Sequence, residues 1–532
     1  MQADRAPTTP KHRWLYFLLP SALDVLFITL LFGLSCGALG RLLLRDADIG
    51  WHIRNGQQIL HTHAIPRTDL FSSTMAGKPW YAWEWLYDLL IAIVHQVFGL
   101  NGVVFYTAAI IAVTFVVSLH VGLRRGASLP ITLFLLILSL GASAVHFLAR
   151  PHVVSWLLTL IWFDLLDSAA ADSSISKPDK QVYWLPAIMA VWVNLHGGFV
   201  LGFALLVVYL AAGAIEYLVH PERRTERKTW LRQLGGVAGL SLLASLLNPY
   251  GYQLHLHVYH YLSDRYLMDR ISEFLSPDFH SAAQQCFAVL LFVTMVAMAT
   301  ARRRPSIVHV LVILFAAYSG LYATRNLPTS SLLITLIIAP VLTESVAATA
   351  NSESVSGWLR GFCSHFHAFG ERVGNLEVRL QGHLWLILVF VLGFWACAHG
   401  GRIGSTQFIN AYFDGKRFPV EAAEVIAQRG IHEPVFSLDY WGGYLIYRLY
   451  PQTKVVVDDR HDFYGDEFFK DYLRAVLVLP GWDNVLDKFH ADWVLVPVES
   501  PLANILRLTP GWESVHEDQT AALFHRGSLS DQ

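Results

Sequence analysis

A mainly α-helical polytopic membrane protein with a C-terminal soluble α/β domain is the fold class the sequence predicts, on three observations. About eleven apolar stretches follow one another through the first 400 residues, each approaching the length that crosses a bilayer. Charged residues make up 15% of the 532-residue chain, against about 25% in soluble domains, and mean hydropathy is +0.41. Beyond residue 400 short β-branched runs alternate with helix-patterned segments.

The expected spans lie near 16–40, 101–122, 129–148, 152–167, 182–195, 198–219, 233–247, 285–300, 306–324, 328–346 and 383–399. The first apolar run, 14–42, is too long for a signal-peptide core and reads as a retained anchor. Lys11 and Arg13 before it place the N-terminus in the cytoplasm. Arg124 and Arg125, the Arg223–Lys228 cluster and Arg302–Arg304 belong on that same side. They reach it only if 84–98, which carries Glu84, Asp88 and His95, is an interfacial or re-entrant helix rather than a crossing. The topology is then eleven crossings with the C-terminus outside. Loop 43–83, Arg150, the Asn194-Leu195-His196-Gly197-Gly198 turn, loop 248–284, Arg325 and everything after 400 collect on the outer side. The chain divides into a membrane module, 1–400, and an extracytoplasmic domain, 401–532.

Within that domain, strands are expected at 435–437, 454–457, 493–496, 512–517 and 520–526, with helices at 441–449, 466–477, 481–489 and 500–508. Strands alternating with helices imply a sheet with parallel pairs. Trp441-Gly442-Gly443-Tyr444 is too weak a match for a phosphate loop. A formal net charge of −2 and the lack of a long basic run exclude a nucleic-acid partner. Cys36, Cys286, Cys363 and Cys397 form no metal-binding pair, and no cysteine falls beyond residue 400.

The segment Asp46-Ala47-Asp48-Ile49-Gly50-Trp51-His52 follows the first span directly. In extended backbone, residues two apart point the same way, so Asp46 and Asp48 can face one cavity or share a hard divalent cation. One can equally act as a base whose proton affinity its neighbour raises. The plainer alternative makes Asp48 the N-cap of an amphipathic interfacial helix over 49–61. Further on stand Pro66-Arg67-Thr68-Asp69 and the aromatic run Trp80 to Trp85, at home at a membrane interface and equally suited to stacking on sugar rings. Glu84 and Asp88 lie one helical turn apart on an apolar helix, where ionisable groups are costly. Arg150 and Arg325 sit at the outer ends of spans, against the positive-inside bias. A guanidinium there can bind phosphate oxygens in pairs or snorkel to headgroups. His255, His257 and His260, interleaved with tyrosines, read as an interfacial helix rather than a metal site. Asp458-Asp459-Arg460 ends a strand, where α/β sheets bind ligands; a solvated turn explains it as well.

The Asp-x-Asp segment with Trp51-His52, then Ile65-Pro66, Asp69, Phe71-Ser72 and Trp83-Glu84-Trp85-Leu86, resembles a group of bacterial membrane proteins similar to the GT-C glycosyltransferases. The match to that bacterial group runs through Trp441-Gly442-Gly443-Tyr444 and Pro480-Gly481-Trp482. The match to well-studied GT-C enzymes covers the architecture and the acidic motif alone. The resemblance implies a bacterial cytoplasmic-membrane enzyme that moves a sugar, with inversion, from a polyprenyl-phosphate carrier to an acceptor on the outer face. Its acidic residue maps onto Asp48 or Asp46, as base or as ligands of Mg²⁺ or Mn²⁺. Arg150 and Arg325 would hold the leaving phosphate, with His52, Glu84, Asp69 and His196 as further substrate-binding residues. No His-Pro-Pro or Trp-Trp-Asp motif is present, so the acceptor stays open and protein N-glycosylation is disfavoured.

Two other function classes fit the composition. A flippase or transporter would place ionisable residues mid-span, and Asp24 and Asp164 are the candidates. A non-catalytic envelope-assembly scaffold would use the C-terminal domain for protein contacts.

Overall fold

The computed structural model describes residues 15–171, 180–380 and 382–527; Lys11 and Arg13 lie outside them. A helix stands at every expected span: Ala22–Ser35, 100–124, Leu129–Ser143, His152–Ala171, Leu185–Leu195, Phe199–Val219, Arg224–Ser245, Ala282–Thr300, Ile307–Tyr322, Leu327–Ala350 and Leu384–Ala398. Seven helices among the described residues are long and apolar enough to cross a bilayer, and Ile307–Tyr322 and Leu384–Ala398 are shorter but apolar. Leu185–Leu195, with 11 residues, and Arg224–Ser245, which opens on a charged turn, fall short of that standard. The chain is a multi-pass membrane protein.

The segment 85–98 runs into 100–124 to make a 40-residue helix, Trp85–Arg124, broken by the non-helical Gly99 (φ 60°, ψ −158°). Unbroken, 40 residues would reach about 60 Å, twice the roughly 30 Å hydrocarbon core. One face of the first arm, Tyr87, Asp88, Ile91 and Ala92, is buried against helix Asp48–Thr62, while Leu90, Ile93 and Val97 on the other face are exposed.

The mid-span acids that a transporter would need have local partners instead. Asp24 closes a capping box with Ser21 at the start of its helix and also meets His383 at 3.0 Å. Asp164 pairs with Arg124 and Arg125, which terminate the adjoining helix. All four cysteines are free.

After a small hairpin of β1 (Arg402–Ile403) and β2 (Thr406–Gln407), the C-terminal domain is built on β3 (Val435–Ser437), β4 (Trp493–Pro497), β5 (Trp512–Glu517) and β6 (Ala521–Arg526), in the order β3-β4-β6-β5. β3 and β4 form a parallel pair, as expected, and β6 is antiparallel to both β4 and β5, so the sheet is mixed. Helices Asp439–Leu449, Asp466–Val476, Trp482–Lys488 and Pro501–Leu506 match the expected segments. The expected strand 454–457 is reduced to a single residue, Val455, which bridges Val435 on one side and Ser72 on the other. Its flank is occupied by loop 43–83: Ser73 N–H donates to the Val455 carbonyl at 2.8 Å, and Val455 N–H to that of Phe71 at 3.3 Å. The first loop is therefore stitched onto the sheet edge, which fixes the C-terminal domain over one end of the helical bundle.

Candidate functional site

Helix Asp48–Thr62 starts at the junction of bundle and domain. Its N-cap position is Ala47, and the capping role expected of Asp48 falls to Asp46, whose Oδ1 accepts the Asp48 N–H at 3.0 Å. Both carboxylates still converge, because both meet Arg150. Its Nη1 lies 3.2 Å from Asp46 Oδ2, and its Nη2 forms the ion pair with Asp48. Arg150 Nη1 also lies 3.8 Å from Glu273, whose other oxygen is 3.4 Å from Arg325. The result is an alternating chain of Asp46/Asp48, Arg150, Glu273 and Arg325.

A third carboxylate joins from 411 residues further along. Oxygens of Asp46, Asp48 and Asp459 all lie within 4.8 Å of one another. Asp459 Oδ1 is buried without a hydrogen-bond partner among the described residues. Two glycines of the Trp441–Tyr444 segment allow this approach. A Cβ on Gly442 would sit 2.5 Å from Asp458 Cα, and one on Gly443 would sit 2.4 Å from the Ala47 carbonyl oxygen. Helix Asp439–Leu449 thus lies against the acidic turn of the domain on one side and the start of helix Asp48–Thr62 on the other.

Arg460, 4% exposed, locks the same turn. It donates to Asp458 at 2.7 and 2.8 Å and to Asp69 at 2.7 Å, with its guanidinium 4.6 Å from the Trp80 ring centroid. Asp69 is spent on this contact and on the Ser72 hydroxyl and N–H, so it does not reach the cavity.

Burial and these neighbours set the charges. Burial pushes Asp48 well above the ordinary carboxylate range, with Asp459 and Asp46 adding to the rise against the pull of Arg150. Burial likewise lifts Asp459 to about 6. For Asp46, Arg150 and the hydrogen bonds to Asp48 outweigh burial, and it stays below the usual value. Burial would also raise Glu273, but Arg325 and Arg150 hold it down at about 2.

These groups line a cavity of about 460 Å³. Asp48, His52, Glu84, Arg150, His196 and Arg325 all face it, together with Trp51, Trp80, Trp83 and Trp156. Of the residues the sequence singles out, Asp46 belongs to the cluster through Arg150, and Asp69 alone is diverted. Two members were not placed here by sequence reasoning: Glu273, which no motif marks, and Asp459, visible only as part of an acidic turn. Two histidines of helix Tyr252–Ser263 have side-chain partners: His255 meets the Ser245 hydroxyl at 2.9 Å, and His257 reaches across to Asp462 of the C-terminal domain at 2.9 Å, a residue that itself lines the cavity.

No family model and no curated protein matches the sequence. Among solved structures the chain is similar to the oligosaccharyltransferase of Archaeoglobus fulgidus in its apo form, at 10% identity over 92% of this chain and 70% of that one, with TM-score 0.53. It is similar to the oligosaccharyltransferase AglB of the same archaeon, in complex with an inhibitory peptide and a dolichol-phosphate, at 11% identity over 98% and 75% of the two chains, TM-score 0.54. ArnT from Cupriavidus metallidurans in the apo state matches at 12% identity over 95% and 96%, TM-score 0.50. At such identities the likeness is one of fold alone.

Proposed function

We propose, from the premise that this multi-pass membrane protein carries the GT-C fold, that it transfers a sugar from a polyprenyl-phosphate carrier to an acceptor hydroxyl at the extracytoplasmic face. The observation that carries this reading is the arrangement of the cavity mouth: carboxylates of Asp46, Asp48 and Asp459 beside two guanidiniums, Arg150 and Arg325. One half of such a site suits a nucleophile that must lose a proton, and the other half suits a phosphate that must leave.

In this reading Asp48 takes the proton of the acceptor hydroxyl. That oxygen attacks the anomeric carbon, the bond from this carbon to the phosphate oxygen breaks with inversion, and the polyprenyl phosphate departs with the bonding pair. Arg150 and Arg325 neutralise the charge that grows on it. Arg150 is tied to Asp48 in the resting site, so a bound phosphate that draws the guanidinium away also frees the base. The raised proton affinity of buried Asp48 suits a group that must take up a proton.

Asp46, Asp48 and Asp459 also fit a hard divalent cation such as Mg²⁺ or Mn²⁺: they offer oxygen donors only, and Asp459 Oδ1 is buried without a hydrogen-bond partner among the described residues. Such an ion would supply positive charge for the phosphate and lower the proton affinity of neighbouring groups. Mass spectrometry of lipid co-purified with the protein tests the reading. A polyprenyl phosphate or its glycosylated form is expected with wild type and reduced in Arg150→Ala; its absence from both, together with no transfer from a supplied polyprenyl-phosphate sugar, would sink the proposal.

A further inference from the structure

Helix Gly357–Glu377 has 21 residues, yet it is not among the helices apolar enough to cross a bilayer. It mixes Arg360, His367, Glu371 and Arg372 with a set of aromatic side chains. Its neighbours place it in the fold. Helix Leu327–Ala350, on which it packs, begins beside Arg325 at the cavity. That helix runs for 24 residues, about 36 Å, so Gly357 follows at the opposite end of the bundle. There the Glu377 carboxylate accepts the Ala22 and Leu23 N–H groups at 2.7 and 3.4 Å, two of the free donors that open helix Ala22–Ser35.

At about 100° per residue the helix divides into three faces. Cys363 and Gly370 are buried, and a Cβ on Gly370 would lie 2.5 Å from the Ser128 hydroxyl oxygen, so this face lies against the bundle. Next to it, Trp358, Phe362, Phe369 and Leu376 fall within about 40° of one another. All four are exposed, Trp358 to 78%. Trp358 stacks on Phe362 and Phe362 on Phe366, each pair with centroids 6.2 Å apart, so the apolar stripe is continuous. The third face is polar. His365 and Arg372 border the stripe on the side away from the bundle, and both are exposed. Glu371 lies further round, 3.5 Å from His367, so no carboxylate shares that border.

An exposed aromatic stripe of this length marks a surface that something apolar covers. Its surroundings say what. Ser128, against which Gly370 packs, is the N-cap of helix Leu129–Ser143, whose Phe134 and Ile137 are exposed. Beyond Gly382 the chain enters the expected span Leu384–Ala398, where Leu384, Ile387 and Leu388 are exposed. Side chains of this kind on membrane spans face lipid, so lipid-facing helices flank the stripe on both sides. We propose that helix Gly357–Glu377 is an in-plane membrane anchor: its aromatic stripe sinks into the leaflet on the side away from the cavity, and Arg372 and His365 meet phospholipid headgroups there.

Three faces then meet three surroundings: the bundle at Cys363 and Gly370, lipid at the aromatic stripe, and water at Arg360, Ser364 and Glu371. The border cation fits this arrangement, because a guanidinium beside a buried apolar stripe reaches phosphate oxygens at headgroup depth. Glu377 ties the anchor to the start of helix Ala22–Ser35, and that helix leads through Gly37–Leu42 to Asp46 and Asp48. The anchor thereby sets the depth of the helix that carries the acidic segment. None of this depends on which reaction the cavity performs.

Nitroxide labels on the full-length protein test the anchor in vesicles of phosphatidylethanolamine and phosphatidylglycerol. Phe362→Cys and Phe369→Cys report on the stripe, Ser364→Cys and Glu371→Cys on the polar face. The native cysteines are buried or half-buried, and the unsubstituted protein supplies their background signal. At 362 and 369, collision with oxygen should exceed collision with a water-soluble nickel chelate; at 364 and 371 the order should reverse. Melting temperatures close to wild type report that the labelled variants fold, and Leu376→Cys repeats the stripe measurement independently. Nickel access at 362 and 369 equal to that at 364 and 371 would leave the stripe in water. Oxygen preference at all four sites would make the helix a crossing. Protection of 362 and 369 from both reagents would place a protein surface on the stripe, a second copy where the labels also broaden one another. Each of these three results overturns the anchor.

Discussion

Gly50 and Gly443 meet backbone to backbone. A Cβ on Gly50 would lie 2.2 Å from the Gly443 carbonyl oxygen, and one on Gly443 would lie 2.4 Å from that of Ala47. This crossing brings the acidic turn of the C-terminal domain to the start of helix Asp48–Thr62, so it joins the parts of the carboxylate cluster that lie far apart in sequence.

Gly443→Ala is expected to force the two helices apart, at a cost of about 1–3 kcal/mol, typical of an overpacked contact. Displacing Asp459 should also lower transfer activity by more than the loss of folded protein accounts for. Gly235→Ala is the control: its site is open, and helix Arg224–Ser245 should be unharmed. Thermal melting and transfer activity of the two variants check the comparison; equal behaviour would mean the glycine crossing does not position the cluster.

For Asp48→Asn the expected outcome is a loss of transfer of roughly 10²–10⁴-fold, the usual worth of a general base, with the melting temperature close to wild type. Arg150 would retain Asp46 and Glu273 as partners, so no cation is stranded. Single-turnover transfer from a labelled polyprenyl-phosphate sugar measures it. Wild-type rates in Asp48→Asn would move the base to another residue.

Divalent-cation binding should depend on all three cluster carboxylates, with Asp459→Asn weakening Mn²⁺ by about tenfold or more, through loss of one of three oxygen donors. Mn²⁺ titration followed by electron paramagnetic resonance on the full-length protein checks this. Equal affinity in Asp459→Asn would remove the domain from the cation site.

Much of the membrane module was legible because apolar run length is a direct readout of burial in lipid, and each expected span contains a helix. Asp46, Asp48, His52, Glu84, Arg150, His196 and Arg325 were legible because polar groups beside long apolar runs stand out. What could not be read depended on packing between distant segments. Asp459 gains its meaning from the Gly442–Gly443 contacts, and Asp69 loses its expected one to Arg460. Val455 shrinks from a strand to a bridge because loop 43–83 takes its other side. The role expected of Asp48 passed to Asp46 because one residue of register decides which side chain caps a helix.

Acid should weaken the protein partly through Glu273. Its folded value of about 2 lies below the ordinary glutamate value, so its contribution is present above about pH 4.3 and lost as pH falls toward 2. Glu273→Gln is expected to cost on the order of 3 kcal/mol at pH 7, because a carboxylate held down at about 2 is lost and Arg150 and Arg325 lose a partner. The gap between wild type and variant should narrow across pH 4.5 to 2. Melting curves at stepped pH measure it; a constant gap would show that the Arg150–Glu273–Arg325 chain contributes little to stability.

The strongest structural effect is expected at Arg460. Its guanidinium neutralises Asp458 and Asp69 together, and all three side chains are almost fully buried. Arg460→Met keeps much of the volume but leaves two buried carboxylates facing each other without a cation, a loss of about 3–5 kcal/mol by comparison with other broken buried pairs. Asp69→Asn removes only one of the two charges and keeps the hydrogen-bonding shape, so it should cost less. The triple change Asp69→Asn, Asp458→Asn, Arg460→Met should recover part of the loss, because no buried charge is then unpaired. Limited proteolysis within loop 43–83, read beside thermal melting, separates the outcomes. Cleavage near Asp69 in Arg460→Met but not in the triple variant would establish that this guanidinium fastens the first loop to the sheet, whereas equal protection in both would leave the fastening to the Val455 bridge.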